Sequence, residues 1–407
     1  ACLVGSEMCI RDRFQAFLKV LAQQGRMPIH GDTFPDRKLG LGRISIDMGG
    51  GDMKRRVYVG TYTGGNQSDS PLTGSKGIYA FSLQDDGKGL SFTGCYSNND
   101  IDPGFLVYRN GYLFVENERK DRAVLHSYRV EEDGSLIFVD AVETTGSKCA
   151  HVCADAFGSY VFGANYASGS VLVTRSDENG QLTMTDLVQH YGHSIVPVRQ
   201  DAPRAHAVIQ TPDGTGVIVP DLGTDKLVNY KLDRKSGKLV RNPNQPVVQV
   251  ASGEGPRHFV FHPCGRYGYL LTEIGNHIYV YNYDGNQGIL TEKQCVSTLP
   301  EKFSGTSYAA ELIVSKDGRF LYACNRGHDS IAAFSIDETG KLHAPDFWPC
   351  GGKGPRHICF GPEEHTIFVA NKESNQISIM ERNEQTGAIG NVLATADVPA
   401  PACVVMI

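Results

Sequence analysis

The chain has 407 residues, 41% hydrophobic and 21% charged, with a formal net charge of −6. This is a globular composition with no basic run, which argues against a nucleic-acid binder. No stretch approaches the roughly 18 apolar residues of a membrane-spanning helix.

The opening ACLVGSEMCIRDR resembles a translated sequencing-library adapter rather than a protein segment. Gly50-Gly51-Asp52-Met53 is what a ribosome-binding site followed by a start codon gives when translated in frame. Residues 1–52 are therefore expected to be artefact plus translated leader, or else a disordered extension, and are set aside from fold reasoning. The remainder, 53–407, carries 32 Lys/Arg against 39 Asp/Glu, a balance of −7, and nine of the 11 cysteines. An odd cysteine count without a CxxC pair fits neither a disulfide framework nor a zinc site and suits a reducing cytoplasm. MKRRVYVGTYTGG has two polar turns before any apolar core of a signal peptide could form, so a cytoplasmic protein is expected.

From Met53 onward one unit recurs. An apolar strand such as RVYVGTY leads to a polar turn, then to a second strand such as GIYAFSL, then to a charged turn ending in Gly-x-Leu or a close variant. Seven such turns close on Leu90, Leu136, Leu182, Leu239, Leu290, Leu342 and Ile389, at intervals of 46 to 57 residues. Period-2 strands separated by Asp/Asn/Gly turns at this interval predict an all-β, seven-bladed β-propeller in one domain. Each unit reads as four strands. In the fifth these are PRHFVFHP, YGYLLTE, HIYVYNYD and ILTEKQCVS. The first unit lacks its first strand, and PACVVMI at Pro401–Ile407 matches it, so the C-terminal strand is expected to pair into blade one and close the ring.

First strands of propeller blades line the central channel, and their starts converge at one mouth. That position reads His151, then Arg204 and His206, then Arg257 and His258, then Glu311, then Arg356 and His357. The ends of the second strands add Asn117, Glu118, Asn165, Asp221, Glu273, Asn325, Arg326 and Asn371. Converging cations cost electrostatic energy unless anions answer them. A cationic funnel in an acidic chain therefore points to a small anionic ligand. The recurring asparagines read as backbone-satisfying wall residues, Asp221–Asp225 as a capped turn, His262 as a packed strand histidine, and Trp348 as inter-blade core.

The phrases GEGPRHFVFHP and GKGPRHICFGP, with VPDLGTDKL, FSGTSYAAELIVSKDGRFLYACNRGHDSI and ANKESNQISI, resemble the lactonase family of seven-bladed propellers over essentially all of Met53–Ile407. The best-known members are of the bacterial 6-phosphogluconolactonase type, and the fungal carboxy-muconate lactonizing enzyme shares the fold. The resemblance implies hydrolysis of 6-phosphogluconolactone, a step of the pentose phosphate pathway, with no metal and no cofactor. It implies catalytic roles for His206, Arg257, Glu273 and Arg326. His151, Arg204, His258, Asn325, Arg356 and His357 are expected to bind substrate, with Arg356 or Arg204 on its phosphate. Either His206 or Glu273 is the base, with Glu273 preferred as base or as the group orienting His206.

Two departures bear on substrate rather than fold. Pro203-Arg204-Ala205-His206 stands where the family has Pro-His-Ala-His, and Asp102-Pro103-Gly104-Phe105-Leu106 where it has Asn-Pro-Ser-Tyr-Leu. Hydrolysis or cycloisomerisation of an unphosphorylated lactone, and a non-catalytic binding propeller, are the competing readings. No nucleic-acid or membrane partner is expected, and the chain is expected to be a monomer or a weak homo-oligomer.

Overall fold

The computed structural model describes residues 55–65, 68, 71–84 and 87–407. All belong to the unit Met53–Ile407. Residues 1–52, expected from the sequence to be artefact, leader or extension, lie outside the described residues.

The alternating segments form seven antiparallel sheets. In blade five, Pro256–Phe261, Tyr267–Thr272, His277–Asp284 and Ile289–Ser297 pair in that order, the four strands the sequence predicts. Blade four departs at its outer edge, where Lys238–Arg241 and Val247–Gln249 both pair with Lys226–Asp233. Pro243 and Pro246 split that edge, because proline offers no N–H to the ladder. One short 3-10 turn, Pro362–Glu364, is the only helical element among the described residues.

The ring closes through the last residues. Pro401–Met406 pairs antiparallel with Arg56–Thr61, Tyr58 opposite Val405 and Val59 opposite Val404. The C-terminal segment is thus the innermost strand of blade one.

The core lies between the blades, in seven apolar clusters. Each cluster takes in one of the closing residues of the repeat: Leu239, Leu342, Ile389, Leu90, Leu136, Leu290 and Leu182 respectively. Burying such a side chain is worth about 1.5–3 kcal/mol. The motif therefore repeats because each blade needs an apolar anchor for its outer strand.

The inner strands carry a bulge at the mouth. Pro256 pairs with Thr272 and His258 with Leu271, which leaves Arg257 without a partner in the ladder. Pro355 and His357 leave Arg356 in the same way, and Cys149 and His151 leave Ala150. A bulge re-aims the extra residue. Just before it, Gly255 and Gly354 both sit at φ +64°, where a side chain is strained. Their N–H groups donate to Asp225 Oδ1 at 2.7 Å and Asp329 Oδ1 at 2.8 Å. The repeated Gly-Pro-Arg-His is a corner that presents an arginine.

The register corrects one parallel drawn from the sequence. In blade four, Ala205 bridges Asp221 and Ile209 pairs with Ile218. His206, not Arg204, is therefore the counterpart of Arg257, and Ala207 is the counterpart of His258. Arg204 falls outside the bulge.

Candidate active site

Three bulge positions carry functional side chains: His206, Arg257 and Arg356 in blades four, five and seven. The other blades have glycine or alanine there, Ala150 in blade three being one. A second set comes from the seventh position counted from the start of each second strand, which follows the strand in five blades and is its last residue, Arg326, in blade six. Tyr62, Glu118, Tyr166, Glu273, Arg326 and Lys372 occupy that place in six blades. The two sets meet at the mouth.

Glu273 is the hub of one side. Its Oε2 lies 2.9 Å from Arg257 Nε, 2.9 Å from Arg326 Nη2 and 3.7 Å from His206 Nε2. Its Oε1 accepts from Arg199 Nη2. Burial opposes a charge here, yet Arg326, Arg257, His206 and Arg199 together hold the carboxyl well below the usual carboxylate range. Glu273 is therefore a firmly ionised carboxylate and a weak base.

Arg257 is 2% exposed. Its Nη1 also donates to the Ala310 carbonyl. Burial and then the neighbouring Arg326 push its guanidinium down to about 10, so it stays charged. Arg326 donates from Nε to the Tyr308 carbonyl and from Nη2 to the Ala309 carbonyl, each at 3.2 Å. Burial and then Arg257 keep the His206 imidazole well below its ordinary value, so it is neutral. Its Nδ1 is buried without a hydrogen-bond partner, and Tyr166 meets its ring edge-on at 5.4 Å.

The four residues expected to be catalytic thus converge. Arg199 joins them and was not foreseen, because it comes from the long connection between blades three and four rather than from a strand. Val198, immediately before it, is held at φ +68°, a strained conformation for a β-branched residue. Tyr62, Tyr166 and Lys372 were also missed. Their signal lay in the repeat itself, one place beyond the last residue of each second strand.

The residues expected to bind substrate divide. Arg356 reaches the mouth with Nη2 on Tyr62 Oη and 3.9 Å from Glu118 Oε2, and it makes no ion pair with Glu273. Arg204 is one ring removed from His206, its guanidinium carbon 5.5 Å from the centroid of Tyr166. Its Nη1 donates to the Ala167 carbonyl at 3.1 Å and its Nη2 pairs with Asp201 Oδ1 at 3.2 Å. Asn325 is fully buried in the wall, its amide spent on Thr298 and Ser330. His151, His258 and His357 lie one step deeper, where the inner strands carry side chains along the channel. His258 Nδ1 bonds Glu311 Oε1 at 2.8 Å, and His357 Nε2 is 3.7 Å from Glu311 Oε2. The Phe105 ring lies 4.3 Å from that of His151 and 5.5 Å from that of His357. These histidines pack against one another and floor the site. They are buried because each first strand contributes only its bulge residue to the mouth.

Asn117, Asn165 and Asn371 serve the blades, as expected. Asp221 and Asp225 cap turns through backbone N–H groups. Among the described residues no cluster of His, Cys, Asp or Glu is arranged to hold a metal ion. Clefts of 440 and 470 Å³ open at the far ends of the strands, around Arg55, and contain none of the mouth residues.

Similarity to known proteins agrees with this architecture. Residues 56–406 match the family model described as lactonase, 7-bladed beta-propeller. A 6-phosphogluconolactonase from Bacillus subtilis is 34% identical over 351 residues, 85% of this chain and 97% of the relative. A crystal structure from Lactobacillus plantarum superposes with a TM-score of 0.79 at 29% identity, covering 87% of this chain and all of the other. A periplasmic gluconolactonase from Pseudomonas aeruginosa gives 0.78 at 29% identity, covering 87% and 99%. This chain belongs to the lactonase family of seven-bladed β-propellers.

Proposed function

We propose that this protein hydrolyses a sugar-acid lactone, with 6-phosphogluconolactone as substrate and 6-phosphogluconate as product. The observation that carries the reading is a buried, neutral His206 beside a carboxylate gripped by three guanidinium groups. Water attack on a lactone carbonyl forms a C–O bond and places negative charge on the carbonyl oxygen. Arg257 and Arg326, fixed by Glu273 and by backbone carbonyls, are pre-organised cations for that charge. His206 is the general base and takes the proton of the attacking water. When the intermediate collapses, the ring C–O bond breaks and the imidazolium returns the proton to the leaving alkoxide. Glu273 holds the arginines in place and balances the imidazolium as it forms. Of the two candidate bases this favours His206, since a carboxylate clamped by three arginines accepts protons poorly. The nine free cysteines among the described residues accord with a reducing cytoplasm.

The likeness to the P. aeruginosa gluconolactonase favours a second reading, in which the lactone is unphosphorylated. Both are tested by hydrolysis of freshly prepared 6-phosphogluconolactone and of glucono-1,5-lactone, with EDTA present. The first assay is coupled to 6-phosphogluconate dehydrogenase. Turnover above the spontaneous rate supports the hydrolase reading, and the ratio of kcat/KM values selects the substrate. No acceleration of either lactone overturns it.

A further inference from the structure

We infer that Lys372, together with Arg356, forms a phosphate-binding subsite across the mouth from Glu273, and that Lys372 sets the preference for phosphorylated over unphosphorylated lactones. The inference rests on the lactone-hydrolase reading.

Lys372 follows the second strand of blade seven, Thr366–Asn371, and its N–H donates to the Gly354 carbonyl at 3.0 Å. This bond fixes it beside the corner that presents Arg356. Both cations pack on one ring: Lys372 Nζ lies 4.4 Å from the centroid of Tyr62, and the Arg356 guanidinium carbon 4.9 Å. The Tyr62 hydroxyl donates to Glu118 Oε2 at 2.5 Å and accepts from Arg356.

Two cations here have one carboxylate at ion-pair distance: Asp102 also acts on Lys372, but its oxygens accept from Thr63, Ser68 and the Gly64 N–H rather than from a cation. Among the described residues the Lys372 ammonium makes no hydrogen bond and no ion pair. Arg356 makes one side-chain hydrogen bond, to Tyr62. Glu118 stands 3.9 Å from Arg356 and is the only carboxylate paired with either. Glu116, two residues earlier, does not help. It is 1% exposed, both its oxygens lack partners, and burial followed by repulsion from Glu118 raises its carboxyl well above the usual range, which disfavours a charge there. Burial and then Arg356 push the Lys372 ammonium down to about 8. A cation held where charge is disfavoured gains most from an incoming anion, and a phosphate monoester supplies two charges and three acceptor oxygens.

The other arginines serve the lactone end or the wall. Arg257 and Arg326 are bound to Glu273 and to backbone carbonyls, and Arg204 is turned to Asp201. A lactone carbonyl at the Glu273 side and a phosphate at the Lys372 side would place the two ends of one extended sugar acid on opposite walls of the mouth.

The test compares wild type with Lys372→Met, which keeps the length and removes the charge, and with Lys372→Arg, which keeps the charge. The kcat/KM ratio of 6-phosphogluconolactone to glucono-1,5-lactone is measured for each, together with inhibition by inorganic phosphate. The expected result is at least a tenfold fall of the ratio in Lys372→Met, carried by KM, with most of it restored in Lys372→Arg. Phosphate inhibition weakens in parallel. A ratio within twofold of wild type, or an equal fall for both lactones, overturns the subsite and leaves the hydrolase reading standing. If wild type hydrolyses neither lactone, the hydrolase reading fails by itself. Calorimetric binding of inorganic phosphate then decides the subsite: loss of binding in Lys372→Met supports it, and equal binding overturns it.

Discussion

Arg257 Nε stands 2.9 Å from Glu273 Oε2, and both side chains are buried. The two come from neighbouring strands of one blade, the first at the inner bulge and the second just past the end of the adjoining strand. Everything else at this side of the mouth is held relative to that pair.

Replacing Glu273 with glutamine keeps the shape and removes the charge that three arginines and His206 share. Leaving buried charges without their partner costs about 3–5 kcal/mol. The expected outcome is a kcat/KM reduced by at least about a hundredfold, as for lost electrostatic stabilisation of a transition state, together with a lower midpoint in urea unfolding. Steady-state kinetics beside a denaturant titration checks both. Near-normal activity in a folded variant would remove Glu273 from the mechanism.

Arg257→Lys is a sharper probe, because it conserves charge. An ammonium cannot reproduce the planar fork that serves Glu273 from Nε and the Ala310 carbonyl from Nη1. A fall of kcat by about tenfold to a hundredfold is expected, with KM little altered. Activity equal to wild type would mean that position, not geometry, is all the site requires of this residue.

The pH profile follows from two groups. His206 acts as base only when neutral, and burial with Arg257 keeps it neutral well below its ordinary value. The acidic limb of kcat/KM should therefore lie below the usual imidazole pKa of about 6.5. Lys372 binds phosphate only when charged, and it loses its proton near 8. An alkaline limb near pH 8 is expected for 6-phosphogluconolactone. It should move upward in Lys372→Arg, since guanidinium does not titrate there. Rates corrected for spontaneous hydrolysis between pH 5 and 9.5 test this, and an acidic limb above pH 7 would exclude His206 as base.

Deleting Pro401–Ile407 removes the inner strand of blade one and uncovers Arg56–Thr61 as a free edge. Val404 leaves the cluster it shares with Val57, Val59 and Phe368. The truncated protein should lose cooperative thermal unfolding and elute as aggregates in size-exclusion chromatography. A monomer that still melts cooperatively would show that closure is dispensable.

Much of this was legible in the sequence. The period of the repeat, the four strands of a unit and the match of PACVVMI to PRHFVFH come from local alternation and turn chemistry, which short segments carry by themselves. So do the wall roles of Asn117, Asn165 and Asn371, since a buried polar side chain recurring at one strand position must satisfy something nearby. The GPRH corner was visible as a corner because Gly255 and Gly354 are required there by their backbone angle.

What the sequence alone determined, then, is the seven-bladed ring, its closure, and a set of mouth positions from which the family resemblance picked out His206, Arg257, Glu273 and Arg326. Only the tertiary structure decided the rest. Strand pairing, with a bulge of a single residue, put His206 level with Arg257 and left Arg204 outside, a shift that changes which face a side chain takes. Convergence of seven blades on one axis turned His151, His258 and His357 into a floor packed around Phe105 rather than contacts at the mouth. A loop with no repeat to mark it delivered Arg199 to Glu273. The balance of charge, with the Glu116 carboxyl raised by burial, Glu118 shared and Lys372 without an ion pair, depends on burial and on distances between residues as far apart in the chain as Glu118 and Arg356, and no local pattern encodes those.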